Sequence, residues 1–90
     1  PDIMRGGFTE LRKIANHADT WGMRLAPHLF PELMVQLMAS ISNPLVIEYV
    51  NWMDDAWVEP VLPIDGFYSA PERPGHGLQF KKDFITEYTI

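Results

Sequence analysis

An alternation constrains this chain most: short apolar runs and amphipathic helical stripes follow one another with only a few residues between them. Thr9 is placed to cap a helix, with Glu10 favourable in its first turn. Leu11, Ile14, Ala15, Ala18 and Trp21 then recur at i, i+3, i+4, i+7 and i+10, one face of a helix. Gly22 stands where a C-terminal cap glycine belongs, so the spacing predicts a helix over residues 9–21. Met23 to Ala26 reads as a strand, ended by Pro27, which cannot donate to a ladder. Pro31 suits the first turn of a second helix, whose stripe is Met34, Leu37, Met38 and Ile41. Ser42-Asn43-Pro44 breaks that helix, and Leu45 to Val50 is again strand-like. With Ile3-Met4 as a preceding strand stub, the order is β-α-β-α-β. Connections this short predict parallel strands with helical crossovers, an α/β fold.

The pattern changes after residue 50, so the sequence divides into 1–50 and 51–90. Asn51 to Trp57 is aromatic-rich with room for a helical turn. Glu59 to Ile64 is extended but interrupted by proline, an edge strand at best. Asp65-Gly66 signals a hairpin turn before Phe67-Tyr68. Ser69 to Gly77 reads as loop, and Lys81 to Ile90 as a short closing helix.

Composition narrows the function classes. Ninety residues hold one small domain. A net charge of −5 and scattered basic residues argue against nucleic acid as a partner. No apolar run nears the roughly 20 residues that span a bilayer, so no membrane role is expected. Without cysteine there is no disulfide framework. The opening at Pro1, with eight prolines and three tryptophans in so short a chain, suggests a piece of a longer protein.

Three ionisable residues fall at or near strand ends: Asp2, His28 and Glu48. In parallel α/β proteins the loops at the carboxyl ends of strands converge on the ligand. An Asp beside a His would orient the imidazole and raise its basicity. A Glu in a low-dielectric pocket could stay protonated and donate to a developing oxyanion. Base and oxyanion partner together would remove a proton next to a carboxylate. Each residue has a plainer reading: a solvated histidine near a helix start, a surface aspartate, an outward-facing strand glutamate. Asp54-Asp55 reads as a solvated turn. His17 and His76 lack metal-ligand spacing with His28, and Glu10 to Lys13 is a wet helix face. No Gly-rich phosphate loop or GxSxG is present. A rival reading is a small non-catalytic binding or assembly module, with Trp52, Trp57, Phe67 and Tyr68 as its working surface.

The motifs "PDIMRGGFTE", "APHLFPE", "LVIEYV" twenty residues on, and "APERPGHGLQF" change the balance. Together they resemble the C-terminal part of the mandelate racemase/muconate lactonizing enzyme family of the enolase superfamily, in its mandelate racemase-like branch. The resemblance implies an incomplete domain: the last part of a (β/α)8 TIM barrel, about strands six to eight, followed by an extended tail. It implies His28 as the base ending strand seven, Asp2 as its partner on strand six, and Glu48 as the acid on strand eight that hydrogen-bonds the substrate carboxylate. The implied chemistry is Mg²⁺-assisted abstraction of the proton alpha to a carboxylate, ending in racemisation or in dehydration of an acid sugar or α-hydroxy acid. The Mg²⁺ ligands are expected upstream of this chain, so the ninety residues alone would be inactive. A cytoplasmic homo-oligomer is the implied setting. The sequence departs from the family at one point: Arg5 abuts Gly6, where members carry one more residue. That shortening is expected to shift the first helix or draw Asp2 out of line with His28.

Overall fold

The computed structural model describes residues 1–90, and its framework is three extended segments lying parallel, held at few points. Asp2 bridges to His28 and Leu25 to Pro44, both in parallel register. The second segment is central. His28 N donates to Pro1 O at 2.8 Å on one side; on the other, Leu25 N donates to Asn43 O and Leu45 N to Leu25 O, each at 2.8 Å. Helix α1 (Gly7–Thr20) connects the first segment to the second, and α2 (Pro31–Ala39) connects the second to the third. Helices alternate with extended segments as predicted, but the strands expected at Met23 to Ala26 and Leu45 to Val50 do not form: Leu25 makes one isolated bridge and residues 45–50 make none.

Two local expectations are corrected. Ile3–Arg5 is a 3-10 turn, not a strand stub, because the Asp2 carboxylate accepts Met4 N at 2.8 Å and curls the chain. Only Pro1 and Asp2 remain to pair. Thr9 is not a cap: α1 already begins at Gly7, with Gly6 as its N-cap and no side-chain bond there. Gly6 permits this close entry, since a Cβ on it would lie 2.6 Å from Glu10 Cβ. At the other end Gly22 adopts φ 66°, Met23 N bonds to Ala18 O at 3.0 Å and Gly22 N to Asp19 O at 2.9 Å. That is the paired-bond ending a left-handed glycine allows. Pro31 opens α2 as expected.

The core lies where α1 and α2 meet the segments: Leu11, Ala15, Leu25, Met34, Leu37 and Met38 are buried together. The stripe of α1 is only half used. Leu11 and Ala15 are covered, whereas Ile14 is 45% and Trp21 74% exposed. Only one flank of α1 has an element against it, so its far flank meets solvent.

The tail folds back in pieces. Asp54–Ala56 forms the expected turn, and Asp65-Gly66 (φ 51° and 80°) closes Ile64 onto Phe67 by two backbone bonds. Helix α3 (Lys82–Tyr88) is anchored through Phe80, whose ring stacks 4.3 Å from that of Trp57. Gln36 Nε2 donates to Pro71 O at 3.2 Å, tying the loop to α2. No helix is long and apolar enough to cross a membrane.

Asn43, read from sequence only as a helix breaker, is buried and holds the layers together. Its Nδ2 donates to Ala15 O (3.0 Å) and Met23 O (2.9 Å), while its own carbonyl accepts Leu25 N. The bond to Ala15 O is buried and that to Met23 O half-buried, while Asn43 Oδ1 is buried without a partner. Asn43→Ala is expected to lower stability by about 1–3 kcal/mol, the cost of leaving buried polar groups unpaired. Ser42→Ala, beside it on the surface, should change stability by less than about 0.5 kcal/mol in the same urea titration.

Candidate active site

Pro27 is buried and ends the central segment; His28 follows and is exposed. Its backbone is fixed by the bond to Pro1 O, which sets it beside Asp2. Leu29 and Phe30 then take φ 60° and 49°. Two successive left-handed residues with side chains are costly, roughly 1–2 kcal/mol each. They turn the chain sharply enough for Pro31 to start α2 at once, which leaves His28 at the rim of the segment ends.

His28 Nδ1 lies 3.3 Å from Asp2 Oδ2. An ionised carboxylate only accepts, so Nδ1 carries the proton and Nε2 is left free as a base. Asp2 Oδ1 accepts Met4 N. The Asp2 carboxyl is held below its ordinary 3.8, first by that backbone N–H; burial, the next largest effect, opposes it, and the His28 hydrogen bond, the His28 charge and Arg5 add smaller lowering effects. The expected displacement of Asp2 by the short Arg5-Gly6 junction is not seen.

Glu48 comes from the third segment, and its Oε2 accepts Leu29 N at 2.9 Å. The three candidates therefore converge: Asp2 on the His28 ring, Glu48 on the residue after it. The setting expected for Glu48 is corrected. It is exposed, not enclosed in a low-dielectric pocket, and it accepts a hydrogen bond. Beyond Leu45 nothing pairs with the third segment, so water reaches its side chains.

The other sequence candidates settle elsewhere. Asp54 is not a free acidic turn: Tyr49 Oη donates to its Oδ2 at 2.7 Å, and that bond raises the Tyr49 pKa. Tyr68 has a buried hydroxyl without a partner, and its pKa is pushed up to about 12, first by burial and then by Tyr49, Asp54 and Glu32. The burial of the Tyr68 hydroxyl and of Glu32 is not visible in any local sequence pattern. The proposed aromatic working surface breaks up: Trp52 and Phe67 are exposed, while Trp57 is buried under Phe80. A cleft of about 740 Å³ between α2, the third segment and the tail is mostly apolar and includes none of Asp2, His28 and Glu48. No three His, Asp or Glu side chains gather in a way that could hold a metal ion.

Comparison with known proteins shows the family. Residues 1–84 match the family described as enolase C-terminal domain-like. A 3,6-anhydro-alpha-L-galactonate cycloisomerase of Streptomyces coelicolor is 38% identical over 80 residues, which cover 87% of this chain and 22% of that protein. An enolase from the alphaproteobacterium bal199, solved with bound Mg, superposes with a TM-score of 0.91 at 32% identity, over 97% of this chain and 24% of that one. L-Talarate dehydratase from Polaromonas sp. JS666, complexed with Mg and L-glucarate, gives 0.86 at 36% identity, over 96% and 24%. The chain thus spans about a quarter of the length of the proteins it matches. Further matches are to dehydratases, a cycloisomerase and a racemase.

The lowered Asp2 pKa has a signed consequence. A depressed folded pKa contributes stability that is present above the unfolded value and lost as pH falls through the folded one. Wild type is therefore expected to lose more stability than Asp2→Asn as pH drops from about 5 to below 3.8. Urea midpoints measured at several pH values across that window check it; parallel curves would contradict it.

Proposed function

The chain belongs to the enolase C-terminal domain-like family of the enolase superfamily, and from that premise we propose that it supplies the base side of an active site that removes the proton alpha to a carboxylate. Residues 1–50 form the last arc of a (β/α)8 barrel, strands six to eight, and residues 51–90 form a tail that packs on the barrel or on a capping domain. His28 Nε2 takes the proton, Asp2 holds the ring in the Nδ1-protonated tautomer, and Glu48, carrying a proton on Oε1 in the complex, donates it in a hydrogen bond to the substrate carboxylate. The observation that carries the reading is the 3.3 Å approach of Asp2 Oδ2 to His28 Nδ1 at neighbouring segment ends, with Glu48 bonded one residue further on.

The substrate class is an acid sugar and the outcome dehydration. The imidazolium formed at His28 returns its proton to the departing β-hydroxyl, water leaves, and the resulting enol ketonises. The similarity to a dehydratase solved with L-glucarate and to a D-xylonate dehydratase supports this. A racemase, reprotonating the same carbon, is the alternative that the match to a Streptomyces racemase keeps in view.

Mg²⁺ accompanies several of the solved relatives. The donor set of these ninety residues does not fit it, since no three ligating side chains converge. The metal is held by residues outside this chain, and the ninety residues alone turn over no substrate. The uncovered flank of α1, with Ile14 and Trp21, is covered in the longer enzyme, which assembles as a homo-oligomer.

The test is deuterium exchange. In the full-length protein carrying this segment, with Mg²⁺ and a panel of acid sugars and α-hydroxy acids in D₂O, the alpha proton should exchange. His28→Asn should slow that exchange by about 10²–10⁴-fold, the usual contribution of a general base. Exchange that persists in the variant would remove His28 from the role.

A further inference from the structure

We propose that Glu48 is also a positioning residue for His28: its carboxylate clamps the left-handed turn after the central segment and so keeps the imidazole against Asp2. This deepens the reading above and rests on it for its functional meaning, but its geometry stands by itself. The His28 N–H is already committed to Pro1 O on the first segment. The next N–H, that of Leu29 (φ 60°), points to Glu48 on the third segment. No backbone acceptor meets it there, because the second and third segments pair only around Leu25 and Leu45. Glu48 Oε2 supplies the acceptor at 2.9 Å.

The Phe30 end of the turn is held by its carbonyl, which accepts Leu33 N at 3.0 Å and Met34 N at 2.9 Å, so the Leu29 end is where Glu48 acts. Phe30, the N-cap of α2, has φ 49° and makes no side-chain cap. Leu29 would relax toward the right-handed region unless something fixed it. A hydrogen bond from a backbone amide to an ionised carboxylate is among the stronger local restraints available. His28 is thereby gripped on both sides, through its own N–H by the first segment and through its neighbour's N–H by the third. The two oxygens of Glu48 then divide their work: Oε2 holds the turn and Oε1 remains for a ligand.

The experiment uses the full-length protein carrying this segment, ¹⁵N-labelled at histidine and leucine, with no substrate and no metal. It reads the ring-nitrogen shifts of His28 at a pH where imidazole is neutral, about 8, and the exchange rate of the Leu29 amide. Wild type should show Nδ1 carrying the proton and a protected Leu29 amide. Glu48→Ala should mix the two tautomers and speed Leu29 exchange by about tenfold or more, as expected for losing one charge-assisted bond. Glu48→Gln, whose amide oxygen can still accept, should restore both signals. Retained α1 and α2 resonances in the variants separate this local change from unfolding. Unchanged His28 ring shifts in Glu48→Ala would overturn the proposal, as would Glu48→Gln behaving like Glu48→Ala. Neither result touches the proton-abstraction reading, which stands or falls on alpha-proton exchange in the longer enzyme.

Discussion

The structure depends on the central segment being pinned on both edges. The bond from His28 N to Pro1 O fixes its carboxyl end to the first segment, and the Asn43–Leu25–Leu45 pair fixes its middle to the third. These few bonds set the parallel register. Register in turn decides that Asp2 meets His28 and that Glu48 reaches the following amide, since slipping by one residue would turn every side chain to the other face. A lone parallel pair is weak; what sustains it here is the pair of crossover helices lying over it, with Leu11, Ala15, Met34, Leu37 and Met38 packed against Leu25.

Strain and restraint meet at the same place. Leu29 and Phe30 occupy the left-handed region without being glycine, and the chain accepts this where a short strand must end beside a helix start. The proline at position 31 shortens that junction further, because its ring is already set for a first helical turn. The result is a histidine displayed at a rim, with its backbone held and its ring exposed. Rigid backbone under an accessible ring is what proton transfer needs, since the base has to meet its substrate without reorganising.

Much apolar surface stays in contact with water. Only 14 of 90 residues are buried, so packing by itself anchors little beyond the α1–α2 core. Polar contacts do a larger share of the joining: Asn43 across α1 and the third segment, Gln36 to the tail, Arg73 to Glu59 and to the Gly77 carbonyl. This is the pattern of a structure whose elements are laid out correctly but covered on one side only, in keeping with its match to about a quarter of each relative.

The sequence by itself determined the order of elements, because hydrophobic period and proline position are local properties. The stripe at Met34, Leu37 and Met38, the opening proline of α2, the left-handed Gly22 and the Asp65-Gly66 turn were all legible for that reason. The motif spacing also marked Asp2, His28 and Glu48 as residues of interest. What it misjudged was local competition and coverage. Thr9 reads as the place to begin a helix, yet the chain enters at Gly6, where any Cβ would lie 2.6 Å from Glu10 Cβ. Ile3-Met4 looked like a strand until the Asp2 carboxylate captured the Met4 amide. The exposure of Glu48, its grip on Leu29 and the role of Asn43 all involve partners about twenty residues or more away. Such contacts exist only once the segments are side by side, so no period or spacing in the chain encodes them directly.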